Sequence, residues 1–132
     1  GFWKIAMRPG KPLMFGTRGR QRVLGLPGNP VSSLICARVF LVPMIERYLG
    51  LAGVSAITHA TLAEAIEANG PRQHYMRARW VEGESGRAVA PLRDQDSSLL
   101  SILASADALI IRPVSAPALA VGARVPILPL DI

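Results

Sequence analysis

The spacing of apolar residues changes character several times along this chain. Residues 2–7 form a short apolar stretch with aromatic and β-branched content, which predicts a strand. Arg8-Pro9-Gly10-Lys11-Pro12 ends it, because two prolines around a glycine exclude helix and fix a turn. Leu13 to Gly16 resumes an extended path, Thr17 to Arg22 reads as a polar hairpin turn, and Gln21 to Leu26 returns as a strand. Adjacent strands of this kind would bring their two proline–glycine loops together at the same end. The period then becomes helical: Val31, Leu34, Ile35, Phe40, Leu41 and Ile45 share a face, running to Leu49 with a stop at Gly50. Asn29 suits the N-cap and Pro30 the first helical position. Pro43 predicts a kink or a division of the helix.

Beyond Leu51 to Ser55 the pattern turns to short apolar runs separated by prolines and glycines, so a domain boundary is expected there. Thr58 to Glu67 is read as a strand despite its Ala and Glu content. His74 to Val81 alternates clearly, with Tyr75, Arg77, Arg79 and Val81 on one face and His74, Met76, Ala78 and Trp80 on the other. Gly83-Glu84-Ser85-Gly86 turns into a strand over Arg87 to Pro91. Ser97 to Ala106 predicts a short helix with Asp96 as its cap, and two strands follow, Ala108 to Arg112 and, after a turn at Gly122, Val125 to Leu130. Strand, glycine loop and helix make the first part α/β, and five short strands with one helix make the second a small barrel or sandwich.

Half of the 132 residues are apolar, enough for one domain or two small ones, and no apolar run is long enough to cross a membrane. The start lacks the features of a signal peptide and reads as the interior of a strand, so the chain is expected to be a fragment. The lone Cys36 falls on the apolar face of the helix, where a buried, inert thiol is expected. The net charge of +6 is concentrated at one end: residues 1–54 hold eight basic residues and one acid, Glu46, while residues 55–132 hold seven basic and eight acidic residues. Such a field attracts anions. Only 5% of residues are aromatic and no recognition helix is visible, so a phosphate or other oxyanion is favoured over nucleic acid.

Two loops carry the candidate chemistry. In Leu26-Pro27-Gly28-Asn29-Pro30, Gly28 allows close approach of a ligand, and the helix start offers free N–H groups, with hydroxyls at Ser32 and Ser33. A rigid turn with a helix cap and no ligand accounts for the same residues. Arg8 and Lys11 place two cations on a rigid loop, where the guanidinium can grip an oxyanion through two parallel bonds. Solvated charges beside a tight turn are the plainer explanation. Arg77 and Arg79 form a basic stripe on one strand face. His59 and His74 stand alone, and no Cys or His cluster has metal-ligand spacing.

The run from Phe2 to Leu13, followed by Gly25-Leu26-Pro27-Gly28-Asn29-Pro30-Val31-Ser32, resembles the MoeA family, whose eukaryotic relatives include gephyrin. Gln95 to Leu100 and Ala106 to Ile110 extend the resemblance over nearly the whole chain. It implies that residues 1–52 are the C-terminal part of an α/β molybdopterin-binding domain, the family's third, and that residues 55–132 are a small all-β, barrel-like C-terminal domain. The activity implied is molybdopterin molybdotransfer: molybdate enters adenylylated molybdopterin, and molybdenum cofactor and AMP are released with Mg²⁺. Position by position, the resemblance implies that Lys4, Arg8, Lys11, Pro27, Asn29, Pro30, Arg77 and Ser97 or Ser98 bind substrate or anion, and the loop's own chemistry adds Gly28 and Ser32 to that set. The family often has Lys at the position of Arg8, and the register at Ser97 and Ser98 is open by one residue. No carboxylate precedes Glu46, so metal ligands are expected upstream of Gly1 and the fragment alone is expected to be inactive. A cytoplasmic homodimer, for the full-length protein, is also implied. A non-catalytic binding or dimerisation module of the same family is the alternative, with a basic nucleic-acid-binding domain behind it.

Overall fold

The computed structural model describes residues 2–4, 7–8, 14–25, 30–51, 57–92 and 106–130. Three strands, β1 (Phe2–Lys4), β3 (Met14–Arg18) and β4 (Gln21–Gly25), form an antiparallel sheet in the order β1-β3-β4. The polar turn expected over Thr17 to Arg22 is tighter than its composition suggests. Thr17 pairs Arg22 and Arg18 pairs Gln21, leaving Gly19 and Arg20 to make the turn. Gly19 has φ +59°, the left-handed conformation that two-residue hairpins require.

The apolar stretch over 2–7 does not form one strand. Met7 and Arg8 make a separate strand, β2, which runs parallel to β6 (Gln73–Gly83) in a second sheet, with Met7 opposite Gln73 and Arg8 opposite His74. Met7 is buried and packs with Cys36, while Arg8 faces outward. An unbroken apolar run cannot reveal that its two ends pair with different partners.

The helix begins at Pro30 as predicted, but in three pieces: α1 (Pro30–Cys36), a π-helical turn (Ala37–Leu41) and α2 (Val42–Tyr48). The N–H of Val42 bonds the carbonyl of Ala37, five residues back. Pro43 has no N–H to donate, and its ring would press on the carbonyl of residue 39. Widening the preceding turn relieves that contact without breaking the helix. The effect of Pro43 therefore lies upstream of it. Gly50, at φ +75°, stops the helix as expected.

From residue 57 on, the strands are β5 (Thr58–Thr61), β6, β7 (Gly86–Pro91), β8 (Ala108–Arg112) and β9 (Arg124–Pro129). The strand expected over Thr58 to Glu67 stops at Thr61, and Leu62 and Ile66 continue as isolated bridges to Val89 and Leu119. One edge of β6 holds β8. The other holds β7 against residues 78–83 and β2 against residues 73–74. The sheet order is β2-β6-β8-β9-β5, and the Leu62 bridge brings the end of β5 beside β7. The predicted helix over Ser97 to Ala106 lies outside the described residues, apart from Ala106.

Both faces of this sheet are covered, and the alternation in β6 explains how. Met76, Ala78 and Trp80 turn toward a core of Leu62, Ile66, Val89, Ile110, Val125 and Ile127. Tyr75 turns the other way, toward Ile35 and Cys36 of α1. Ile35 packs there with Leu109, Ile111 and Leu128, so the helix rests on the outer face of β8 and β9. The five residues of β8 are all buried, Arg112 included.

Candidate functional site

Lys4, Met14 and Gly25 lie in one row across the first sheet, since Met14 pairs with both. The strand end that leads into the Pro27–Pro30 loop is thus two strands from Lys4. Pro30 opens α1, and Ser32 sits half-buried in its first turn. Lys11, Pro27, Gly28, Asn29, Ser97 and Ser98 lie outside the described residues.

The structure brings Arg8 and the β6 strand together but not Arg8 and Arg77. Arg8 is in register with His74. Arg77, in register with Leu109, stands three residues further along β6 and on its opposite face, the face of Tyr75. Arg77 is half-buried, and its carbonyl accepts the N–H of Leu92.

Around Arg8 a cleft of about 470 Å³ opens between β2, β6, β8 and the segment 64–69. Its walls include Arg8, His74, Arg112, Glu64, Glu67 and Asn69. Arg112 is only 3% exposed. Its Nη2 donates to the carbonyls of Glu67 at 3.0 Å, Ala116 at 3.4 Å and Pro117. Carbonyl dipoles thus satisfy the guanidinium in place of a carboxylate, and burial lowers its pKa from the usual value. Asn69 Nδ2 fastens the same corner, reaching the carbonyls of Arg72 at 2.8 Å, Arg112 at 3.2 Å and Pro113 at 2.8 Å. Arg72 reaches from the start of β6 to the carbonyl of Met7 at 3.4 Å, tying β2 in place.

His74 stands among these cations. Burial first, then the charges of Arg8, Arg72 and Arg112, push its pKa down to about 4. It is therefore neutral at pH 7, with one ring nitrogen donating and one accepting. Sequence reasoning left His74 isolated and passed over Arg72 and Arg112. One signal was available: an arginine ending the apolar run Ala108-Leu109-Ile110-Ile111, a place where a charge must find buried partners.

Cys36 behaves as expected. It is fully buried, and burial pushes its thiol up to about 11, which keeps it protonated and unreactive. Among the described residues no group of three or more His, Cys, Asp or Glu side chains could hold a metal ion. The cleft sets Arg8 and Arg112 against Glu64 and Glu67, and two carboxylates beside two guanidinium groups do not fit Mg²⁺. No helix among the described residues is long and apolar enough to cross a membrane.

A three-stranded sheet with a long helix, joined through β2 to a separate sheet, is the architecture of an α/β domain's end followed by a β-rich unit. Comparison with known proteins divides the chain the same way: residues 1–47 match the family described as "Probable molybdopterin binding domain", and residues 59–130 match "MoeA C-terminal region (domain IV)". The chain belongs to the MoeA family. It is 32% identical over 117 residues to the molybdopterin molybdenumtransferase of Haemophilus influenzae, covering 83% of this chain and 28% of that protein. Molybdopterin molybdenumtransferase 1 of Mycobacterium tuberculosis is also 32% identical, over 127 residues, covering 90% of this chain and 30% of the relative. Among solved structures, the molybdopterin biosynthesis MoeA protein from Pyrococcus horikosii superposes with a TM-score of 0.75 at 27% identity, covering 96% of this chain and 30% of that one. The chain thus spans less than a third of the length of these relatives.

Proposed function

We propose that this chain is the C-terminal part of an enzyme of molybdenum cofactor biosynthesis, one that inserts molybdate into adenylylated molybdopterin and releases AMP. The observation that carries this reading is the order of the two family matches, over residues 1–47 and 59–130, in one chain. In this reading residues 1–52 end the molybdopterin-binding domain, and residues 55–132 form a small barrel-like domain. The bridge between Leu62 and Val89 supports the latter. Lys4, Arg8 and Lys11 would hold the oxyanion and the pterin phosphate by charge, with the loop Pro27, Gly28, Asn29 and Pro30 and the hydroxyl of Ser32 closing one wall. Arg77, Ser97 and Ser98 would contribute from the second unit. The placement of Arg77 across β6 from Arg8 requires that it meet a different part of the substrate. A cytoplasmic homodimer of the full-length protein belongs to the same proposal.

The test is molybdate-dependent AMP release by the full-length protein. Arg8→Gln should lower kcat/KM at least about tenfold, as loss of one charge-assisted contact to an anion does. Unchanged kinetics would remove Arg8 from the site. The 132 residues alone should release no AMP, since their described residues hold no metal-binding group.

A binding or dimerisation module is the second reading, favoured by the exposed apolar residues Ile45, Tyr48 and Leu49 on and just beyond α2. Sedimentation of the chain separates the two: a dimer dissociated by Ile45→Glu supports assembly through this face. Binding of DNA with a steep salt dependence would instead favour the nucleic-acid alternative.

A further inference from the structure

We propose that the cleft between the β3–β4 hairpin and α2 binds an aromatic carboxylate, with Arg22 and Arg47 on the carboxylate and Phe15, Met44 and Tyr48 around the ring. None of these five residues belongs to the set given to molybdate or the pterin above. Tyr48 alone is shared with the face considered for assembly.

The cleft has a volume of about 570 Å³, and two elements build it. On the hairpin, Phe15 stands opposite Leu24 and Thr17 opposite Arg22, so Phe15 and Arg22 are diagonal neighbours on one face of the sheet. Leu24 lies on that face too and packs with Cys36 and Phe40, which makes it the face turned to the helix. On α2, Met44, Arg47 and Tyr48 follow the i, i+3, i+4 spacing that gathers three side chains into one patch.

Each part of this lining has a chemical consequence. Arg22 and Arg47 are both exposed, and no carboxylate stands among the lining residues. The Nη1 of Arg22 donates to the carbonyls of Arg20 at 3.3 Å and Gln21 at 3.5 Å, which orient the guanidinium without cancelling its charge. Glu46 precedes Arg47 on the helix, where successive side chains face different ways, and it has a partner of its own. Two guanidinium groups from two elements, with no acid between them, are complementary to a planar anion. Two aromatic rings and a polarisable thioether favour a flat ring over an inorganic ion.

The helix decides the class of anion. The cleft lies toward the C-terminal end of the helical run from Pro30 to Tyr48, where unpaired carbonyls carry the negative pole. A singly charged carboxylate meets less opposition there than a dianionic phosphate, and its two oxygens match a guanidinium fork.

Methionine NMR supplies the test, because Met44 lines the cleft while Met7 and Met76 pack in separate cores. In protein labelled with ¹³C at the methionine methyls, naphthoate should shift the Met44 signal saturably, through the ring current of the bound naphthalene, and leave Met7 and Met76 in place. Met44→Leu identifies the signal. Arg22→Gln and Arg47→Gln, at exposed positions that spare the fold, should each weaken binding about tenfold. Arg20→Gln, on the same hairpin but outside the cleft, should change it less than about twofold. Naphthalenemethanol, the neutral counterpart, should bind at least about tenfold more weakly. Equal binding of the neutral compound would reduce the cleft to an apolar surface, and acetate reproducing the shift would leave only an effect of charge. Arg20→Gln weakening binding as much as Arg47→Gln would leave only the diffuse field of the basic half. Each of these overturns the proposal, as does an unmoved Met44, or tighter binding of naphthyl phosphate than of naphthoate. Molybdate-dependent AMP release can fail while naphthoate still shifts Met44, so the two readings stand or fall separately.

Discussion

The two parts of this molecule solve burial in opposite ways. The strands from residue 57 on enclose their own core, in which Leu62, Val89, Ala78, Ala108, Ile110, Val125 and Ile127 are almost wholly removed from water. The hairpin and helix before them do not. Tyr48 and Leu49 are 69% and 68% exposed, Leu41, Val42, Ile45 and Leu51 are also open, and Ile35, beside the buried Cys36, is covered by β8 and β9. The first part is charged and half-covered; the second has one core built from its own residues alone and shares another with the helix. The lesson is that burial, and not regularity of backbone, decides which element can stand alone: an ordered helix can depend on its neighbour for a core.

The largest expected effect is therefore in the second part. Ile110→Ala should cost about 2–5 kcal/mol and lower the denaturation midpoint, because its cavity lies in the core that the strands from residue 57 on enclose. A loss below about 1 kcal/mol would mean that this core is not what holds the fold. Ile35→Ala should cost about 2 kcal/mol and act locally: amides of α1 should exchange faster while those of β8 keep their protection. Equal acceleration in β8 would show that the two parts unfold as one.

His74 gives a pH dependence. Its folded-state pKa, about 4, lies below the ordinary 6.5, so between these values the unfolded chain binds the proton more strongly. The contribution of His74 to stability is complete above about pH 6.5 and declines as pH falls toward 4. Urea midpoints of wild type and His74→Gln should converge at neutral pH after a constant offset and separate in slope below it. Parallel pH profiles would refute the shift. The smallest effect is expected at Arg87, whose guanidinium carbon sits 3.8 Å from the Trp80 ring centre. Arg87→Ala should cost about 0.5–1 kcal/mol at this exposed position. Finally, Cys36 should resist thiol reagents in the folded protein and react at once in denaturant.

Where each element is governed by a local rule, the sequence reveals it. Asn29-Pro30 and Gly50 mark the helix ends, β6 announces its two faces by alternation, and β8 is found at its full length. What it hides depends on partners distant in the chain. Nothing in residues 2–7 says that β1 belongs to one sheet and β2 to another. Nothing in the spacing of Arg8, His74 and Arg112 shows that they share a cleft, because strand pairing between residues 8 and 74 and between residues 74 and 112 is what assembles them. The neutral imidazole among three arginines is legible only as geometry.

The pairing of β2 with β6 also bears on covalent continuity. Main-chain bonds from Met7 and Arg8, the Arg72 bond to Met7 and the seat of Ile35 all bridge the two parts independently of the peptide that links them. A chain severed between residues 52 and 56 would therefore yield two polypeptides that remain docked. The junction is a place where the protein could be split into complementing halves, or fused to another sequence, while the Arg8–His74 contact line stays whole.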